Sequence, residues 1–186
     1  FDTEIFKPVM DKLFELQNVD IIEINGSISG IQGEEEGPLV ISRPLTLQGG
    51  ILNMRYLGIV LGADVTFKDI QVEFTSVETD AIVANGYTLT LENAKMVSTG
   101  EADWSIAVFC GGIEGYSYTN LPVTGSKGEV IIKGDTVVGD IYAGTLSHMN
   151  TTSSEYVGNS NIYIDTTATG KIGNIYGCQQ LTHLEH

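Results

Sequence analysis

The chain repeats a phrase at a spacing that constrains its fold more than any other feature. Val65-Thr66-Phe67-Lys68-Asp69-Ile70-Gln71-Val72 returns 24 positions later as Leu89-Thr90-Leu91-Glu92-Asn93-Ala94-Lys95-Met96. Both copies place apolar residues first, third, sixth and eighth, Thr second, and Asp or Asn fifth. A shorter copy, Leu45-Thr46-Leu47-Gln48-Gly49, begins 20 positions before Val65. A period of 20 to 24 residues is too short for a domain and suits one coil of a solenoid. The alternation predicts Val65, Phe67 and Ile70 pointing inward, stacked on Leu89, Leu91 and Ala94, with Thr66 and Thr90 outward. Asp69 and Asn93 are expected at a bend, each short side chain bonding its own backbone.

Before the repeats lies one helical pattern. Pro8 suits a first helical position, and Val9, Leu13 and Leu16 form a stripe with Met10 and Phe14 beside it. The helix is expected to stop near Asn18 and to cover the open end of the coils. From Asp20 the pattern becomes strand-like, with turn pairs such as Asn25-Gly26 and a charged loop at Glu34-Glu35-Glu36-Gly37-Pro38. Strands are expected at Gly58–Leu61, Val65–Phe74, Ala81–Ala84, Thr88–Val97 and Ser105–Cys110.

Beyond Gly111 the repeat loosens. Gly112–Gly128 reads as a surface excursion rich in Gly, Tyr, Ser and Thr. A second repeat follows: Val138-Gly139-Asp140-Ile141-Tyr142-Ala143-Gly144 matches Ile172-Gly173-Asn174-Ile175-Tyr176-Gly177-Cys178 at an offset of 34. The polar stretch Ser147–Asn161 accounts for the longer period as a loop thrown out of one coil. Tyr142 and Tyr176, being equivalent, read as structural ladder residues. One β-helix domain is therefore expected over 1–183, with a capping helix at 1–19, regular coils at 20–111 and looser coils with lateral loops at 112–183. Leu184-Glu185-His186 reads as the start of a vector-encoded histidine tag and stands outside the fold. Because residue 1 is Phe rather than Met, a processed form or part of a longer chain is expected.

A leucine-rich repeat would place Asn at fixed spacing among leucines, and helical repeats would keep 3.6-residue periodicity; neither pattern is found. No six-residue apolar cadence marks a left-handed hexapeptide helix. The fold class that remains is all-β: a right-handed, single-stranded parallel β-helix with an N-terminal amphipathic capping helix. The helix, Ile21–Ile24, Gly37-Pro38-Leu39-Val40-Ile41-Ser42-Arg43-Pro44-Leu45-Thr46-Leu47 and Val65–Val72 together resemble the pectin-lyase-like superfamily, in particular the non-catalytic β-helix segments of bacterial cell-surface proteins. The Gly-Asp/Asn-Ile-Tyr repeats resemble surface-protein arrays of gut Firmicutes. The resemblance implies a secreted or wall-attached location and contact with glycans or another surface protein.

Charge bounds the partners. Nine Lys and Arg against 24 Asp and Glu give a formal net charge of −15, which repels nucleic acid, anionic membranes and polyanionic glycans. No run of apolar residues reaches membrane-spanning length. Cys110 and Cys178 are expected as small buried fillers, a disulfide between them being the alternative.

The chemistry-bearing residues do not converge. Lyases of this fold set a basic residue beside calcium-holding carboxylates, whereas Arg43 and Arg55 stand apart and read as corner or surface ion pairs. Asp64 with Asp69, and Asp135 with Asp140, are the carboxylate pairs a hydrolase would need, but each sits at a turn. His148 and His183 have no nucleophile motif, and Glu34–Glu36 lacks the alternation of a calcium loop. No catalytic residue, metal or cofactor is assigned. Trp104, Tyr116 and Tyr118 are the candidate ligand-binding residues, flat rings near the irregular segment that could stack on a sugar. The expected function is a non-catalytic structural or adhesive module, the alternative a polysaccharide-active lyase or glycoside hydrolase; a spacer holding other domains outward is a third reading.

Overall fold

Short alternating apolar stretches become short strands, and their neighbours in space are the next coils rather than the next strands. The computed structural model describes residues 6–29, 38–55, 58–75, 81–99, 106–114, 127–144, 146–148, 159–177 and 180–182. After helix α1 (Phe6–Glu15), coil 1 comprises β1 (Ile21–Glu23), β2 (Ser27–Ser29) and β3 (Leu39–Ile41). Coil 2 comprises β4 (Leu45–Gln48), β5 (Ile51–Arg55) and β6 (Ile59–Leu61), and coil 3 comprises β7 (Val65–Lys68), β8 (Gln71–Phe74) and β9 (Ala81–Val83). Coil 4 adds a fourth strand: β10 (Thr88–Glu92), β11 (Lys95–Ser98), β12 (Ala107–Phe109) and β13 (Ile113–Glu114). In coil 5 are β14 (Lys127–Lys133), β15 (Ile141–Tyr142) and β16 (Leu146–His148); in coil 6 are β17 (Asn159–Ile164), β18 (Ile175–Tyr176) and β19 (Gln180–Thr182).

These strands stack in parallel into four sheets. The first runs β1-β4-β7-β10-β14-β17, the second β2-β5-β8-β11, the third β3-β6-β9-β12-β15-β18, and the fourth β13-β16-β19. The protein is thus mostly β, a solenoid-like stack of parallel strands. The phrase register is as expected: Leu89 lies on Val65, Leu91 on Phe67 and Met96 on Val72. The shorter copy extends further than its sequence suggests, since Leu45, Leu47 and Leu52 stack on Val65, Phe67 and Val72.

The core is the space between the sheets. Leu47, Phe67, Leu91 and Ile132 form one continuous column with no exposure, and Leu39, Ile59, Ile82, Val108 and Ile141 form another. Each such side chain contributes about 1.5–3 kcal/mol of burial. Thr66 and Thr90 are half-buried on the opposite face, as the alternation requires.

The corner between the first two sheets explains why the phrase is visible. It is two residues long in three successive coils, Gly49-Gly50, Asp69-Ile70 and Asn93-Ala94. Its first residue is left-handed each time, with φ of 74° at Gly49, 49° at Asp69 and 50° at Asn93, a conformation Asn and Asp tolerate better than other non-glycine residues. The strands expected as continuous over Val65–Phe74 and Thr88–Val97 are therefore each divided by this corner.

Asp69 and Asn93 bond the neighbouring coil. Asn93 Nδ2 donates to Asp69 Oδ1 at 2.8 Å, and Asn93 Oδ1 accepts from the Asp135 backbone N–H at 2.9 Å. The coil-5 position is Gly134 (φ 61°), where a Cβ would collide with Asn93 Oδ1, so the polar ladder itself demands glycine there. The coil-5 corner is one residue longer, and Thr136 fills it. Its fully buried hydroxyl lies 2.8 Å from Lys133 O and accepts from Ala94 N at 3.2 Å.

Helix α1 packs against β3, but through a different face from the one its spacing suggested. Met10 and Phe14 are buried in the main core, Leu13 is partly buried, and Val9 and Leu16 are exposed. Met10 and Phe14, four residues apart, share one face of the helix, and that face turns inward. Arg43 fastens the helix end: its Nε donates to Phe14 O at 2.6 Å, satisfying one of the terminal helix carbonyls at the negative end of the dipole. That replaces the corner ion pair expected of Arg43.

Candidate functional site

The two irregular stretches of the sequence connect strands that are neighbours in the stack. Residues 115–126 follow β13 and residues 149–158 follow β16; these strands pair in parallel, with Ile113 on Leu146. The chain returns through β14 and β17, also neighbours, with Gly128 on Ser160. The described strands that flank sequence outside the regular repeat therefore lie side by side along one lateral face of coils 4 to 6. His148, expected in the second loop, instead closes β16 opposite Thr182.

The floor beside this face is aromatic. Phe109 and Tyr142 stack with ring centroids 4.9 Å apart and planes at 10°, and Tyr142 and Tyr176 stack at 4.7 Å and 10°. Parallel strands at their ordinary separation impose that distance, so identical positions in successive coils stack without adjustment. The equivalence of Tyr142 and Tyr176 was legible in the sequence. Phe109 was missed as their third member, although Val108-Phe109-Cys110-Gly111 aligns with Ile141-Tyr142-Ala143-Gly144 at an offset of 33. Phe109 is buried with Val60 and Val83 in a second apolar cluster outside the main core. Among the described residues Tyr176 ends this ladder, and it is 37% exposed.

Behind the ladder, Cys110 is a free thiol, fully buried, and burial pushes it up to about 12. This agrees with a buried filler; Cys178 lies outside the described residues. Gly128, in β14 of the first sheet, approaches the Cys110 carbonyl too closely to admit a Cβ. Nearby, buried Asn85 holds a left-handed corner (φ 52°) and donates from Nδ2 to Leu61 O at 3.0 Å.

Three of the four carboxylates considered for hydrolysis, Asp64, Asp69 and Asp140, are drawn into coil stacking. Asp64 Oδ1 accepts from Thr88 N at 2.8 Å. Asp69 Oδ1 accepts from Asn93, as above, and Asp140 Oδ1 accepts from both Asn174 N at 2.8 Å and Asn174 Nδ2 at 3.1 Å. On the outer face of the second sheet, Glu73 takes one amide on each oxygen, from Gln71 Nε2 at 2.6 Å and Asn53 Nδ2 at 3.2 Å. Asp165 is held below the usual carboxylate range by the Thr167 backbone N–H and then its hydroxyl, both at 2.8 Å from Oδ1. Lys68 meets Glu92 at 2.7 Å, and the hydrogen bond and charge of Glu92 raise its pKa.

Trp104, Tyr116 and Tyr118 lie outside the described residues, as do Glu34–Glu36, His183 and the side chain of Arg55. Their connections differ: Trp104 belongs to the link between β11 and β12, whereas Tyr116 and Tyr118 belong to the link between β13 and β14. Among the described residues, no group of three or more His, Cys, Asp or Glu could hold a metal ion, and no helix is long and apolar enough to cross a membrane. No protein-family model, no curated protein and no solved structure matches this chain.

Proposed function

We propose that this chain is a non-catalytic structural or adhesive module of a secreted or wall-attached bacterial protein, built as a right-handed, single-stranded parallel β-helix akin to the pectin-lyase-like superfamily. Right-handedness follows from the general preference of parallel crossover connections. The observation that carries the reading is the destination of the repeated polar side chains. Asp64, Asn85, Asn93 and Asp140 all bond a neighbouring coil, so their chemistry stabilises the stack. Any ligand, a carbohydrate or another surface protein, belongs on the lateral face of coils 4 to 6, where the non-repeating segments with Tyr116 and Tyr118 leave the stack.

A glycan array, paired with an assay for reducing ends and unsaturated products, tests this. The expected result is retention on a glycan surface without turnover, weakened about tenfold (about 1.4 kcal/mol) by Tyr116→Ala with Tyr118→Ala. Turnover would replace the proposal with the polysaccharide-active enzyme, and silence on every glycan would reduce it to a spacer.

A further inference from the structure

The sequence contains two Asn-Gly pairs, Asn25-Gly26 and Asn85-Gly86, and both lie between strands at corners of the stack. In such a pair no side chain on the second residue shields its nitrogen from the asparagine Cγ. The fold puts the two pairs in opposite circumstances. Asn85 is 4% exposed, and the atoms that would react are tied. Its Nδ2 donates to Leu61 O at 3.0 Å, and the Gly86 N–H donates to Cys110 O at 3.2 Å.

Asn25 and Gly26 are both exposed. Among the described residues, no hydrogen bond engages the Asn25 side chain or the Gly26 N–H. Coil 2 does hold this corner, through Ile24 N to Gln48 O and Ile51 N to Gly26 O, each at 2.8 Å. Neither bond uses a reacting atom. Gly26 has a φ of 96° and nothing within 4 Å of the place a Cβ would occupy, so the chain has room to turn there. The exposure belongs to the corner and not to its place in the stack, since Asp69 and Asn93 are exposed at the same corner of coils 3 and 4. Asn93 differs in being held: its Nδ2 bonds Asp69, and the N–H of the following Ala94 donates to Thr136 Oγ1 at 3.2 Å.

We propose that Asn25 is a site of spontaneous deamidation in the folded chain, a modification from which Asn85 is protected. The Gly26 nitrogen gives up its proton to solvent base and attacks Asn25 Cγ. The N–Cγ bond forms, the Cγ–Nδ2 bond breaks, and Nδ2 leaves as ammonia. Water then opens the resulting succinimide. Opening at Cγ gives aspartate, and opening at the main-chain carbonyl gives isoaspartate. Either product adds a negative charge beside Glu23. The isoaspartyl product also inserts Cβ into the main chain next to Gly26, whose carbonyl accepts from Ile51, so the pairing of β2 with β5 is where the change is felt. Glycan binding plays no part in this reaction or in its test.

The native chain is incubated at mildly alkaline pH, and peptide mapping by mass spectrometry follows amide-to-acid conversion at both asparagines, with enzymatic methylation counting isoaspartate. Conversion at Asn25 is expected to be more than about tenfold faster than at Asn85, because Asn85 reacts only after local opening. In concentrated urea the two are expected to convert at similar rates, which separates the effect of the fold from that of the Asn-Gly pair. Asn25→Gln is expected to abolish the fast conversion and leave the circular dichroism spectrum unchanged. Equal rates at Asn25 and Asn85 in the folded chain overturn the proposal. So does an Asn25 that converts only in urea.

Discussion

Coils 2 to 4 and coils 5 to 6 use the same strand-and-corner unit, yet they differ in what closes them. In the first sheet the step between coils is 20 residues from Leu45 to Val65 and 24 from Val65 to Leu89. It then becomes 41 from Leu89 to Val130 and 32 from Val130 to Ile162. The additional residues do not lengthen the cross-section evenly. The second sheet, a full strand through β11, shrinks to single bridges at Val137 and between Val138 and Ile172, while the fourth sheet appears on the other side. Coils 2 and 3 are therefore short, whereas coil 4, although it keeps the regular strand and corner, is the longest and introduces the fourth sheet.

The sharpest test compares one column in the two regions. Ile132→Ala is expected to cost about 2–5 kcal/mol, because a fully buried isoleucine leaves a cavity. Ile164→Ala, one coil further along the same column and half exposed, is expected to cost less than about 1 kcal/mol. Chemical denaturation measures both, and equal losses would break the distinction between closed and open coils.

The corners give the next effect. Asn93→Ala loses bonds to Asp69 and Asp135 and places in the left-handed region a residue that tolerates it less well than asparagine, a loss of about 1–3 kcal/mol. Asn174→Ala, in the last coil, removes only the 3.1 Å side-chain bond to Asp140, and a loss of about 0.5–1 kcal/mol is expected. Asn93→Gly relieves the backbone and is expected to fall between wild type and Asn93→Ala in thermal melts.

Cys110 reports whether the stack opens. With the native thiol at about 12 and the unfolded one near its ordinary value of about 9, the unfolded chain releases its proton first as pH rises. The associated stability is fully present below the unfolded pKa and is lost through the alkaline range. Peptide mapping after alkylation at mildly alkaline pH is expected to leave Cys110 unmodified until the coils unfold. Rapid native labelling would contradict its complete burial.

The smallest effect is at Asp165, at the first corner of coil 6. Its depressed pKa contributes stability above the unfolded carboxylate value, lost as pH falls through the folded value. Asp165→Asn is expected to flatten the acid limb of the melting curve slightly, an effect confined to the last coil.

Much of this architecture was legible from periodicity, because one unit is invariant. Strand, two-residue corner and strand recur without insertions in coils 2 to 4, so residues at fixed separation share one environment. Insertions elsewhere obscured the third sheet, whose successive steps are 20, 23, 26, 33 and 34 residues. That drift hid Phe109 from the ladder of Tyr142 and Tyr176. Among the candidate site residues, the carboxylates were legible as turn residues, but their bonding partners were not. Those partners lie one coil away, at separations from 24 to 34.

By itself, the sequence determined the coil, the inward alternation and the corners where a short polar side chain is preferred. These depend on local conformation and on a period repeated in neighbouring copies. The tertiary structure decided which face of α1 turns inward, that Arg43 bonds a helix carbonyl, and that Asp69 and Asn93 serve each other. Those outcomes depend on what the next coil or the end of the stack places alongside each residue, and a side chain takes its partner from space rather than from sequence.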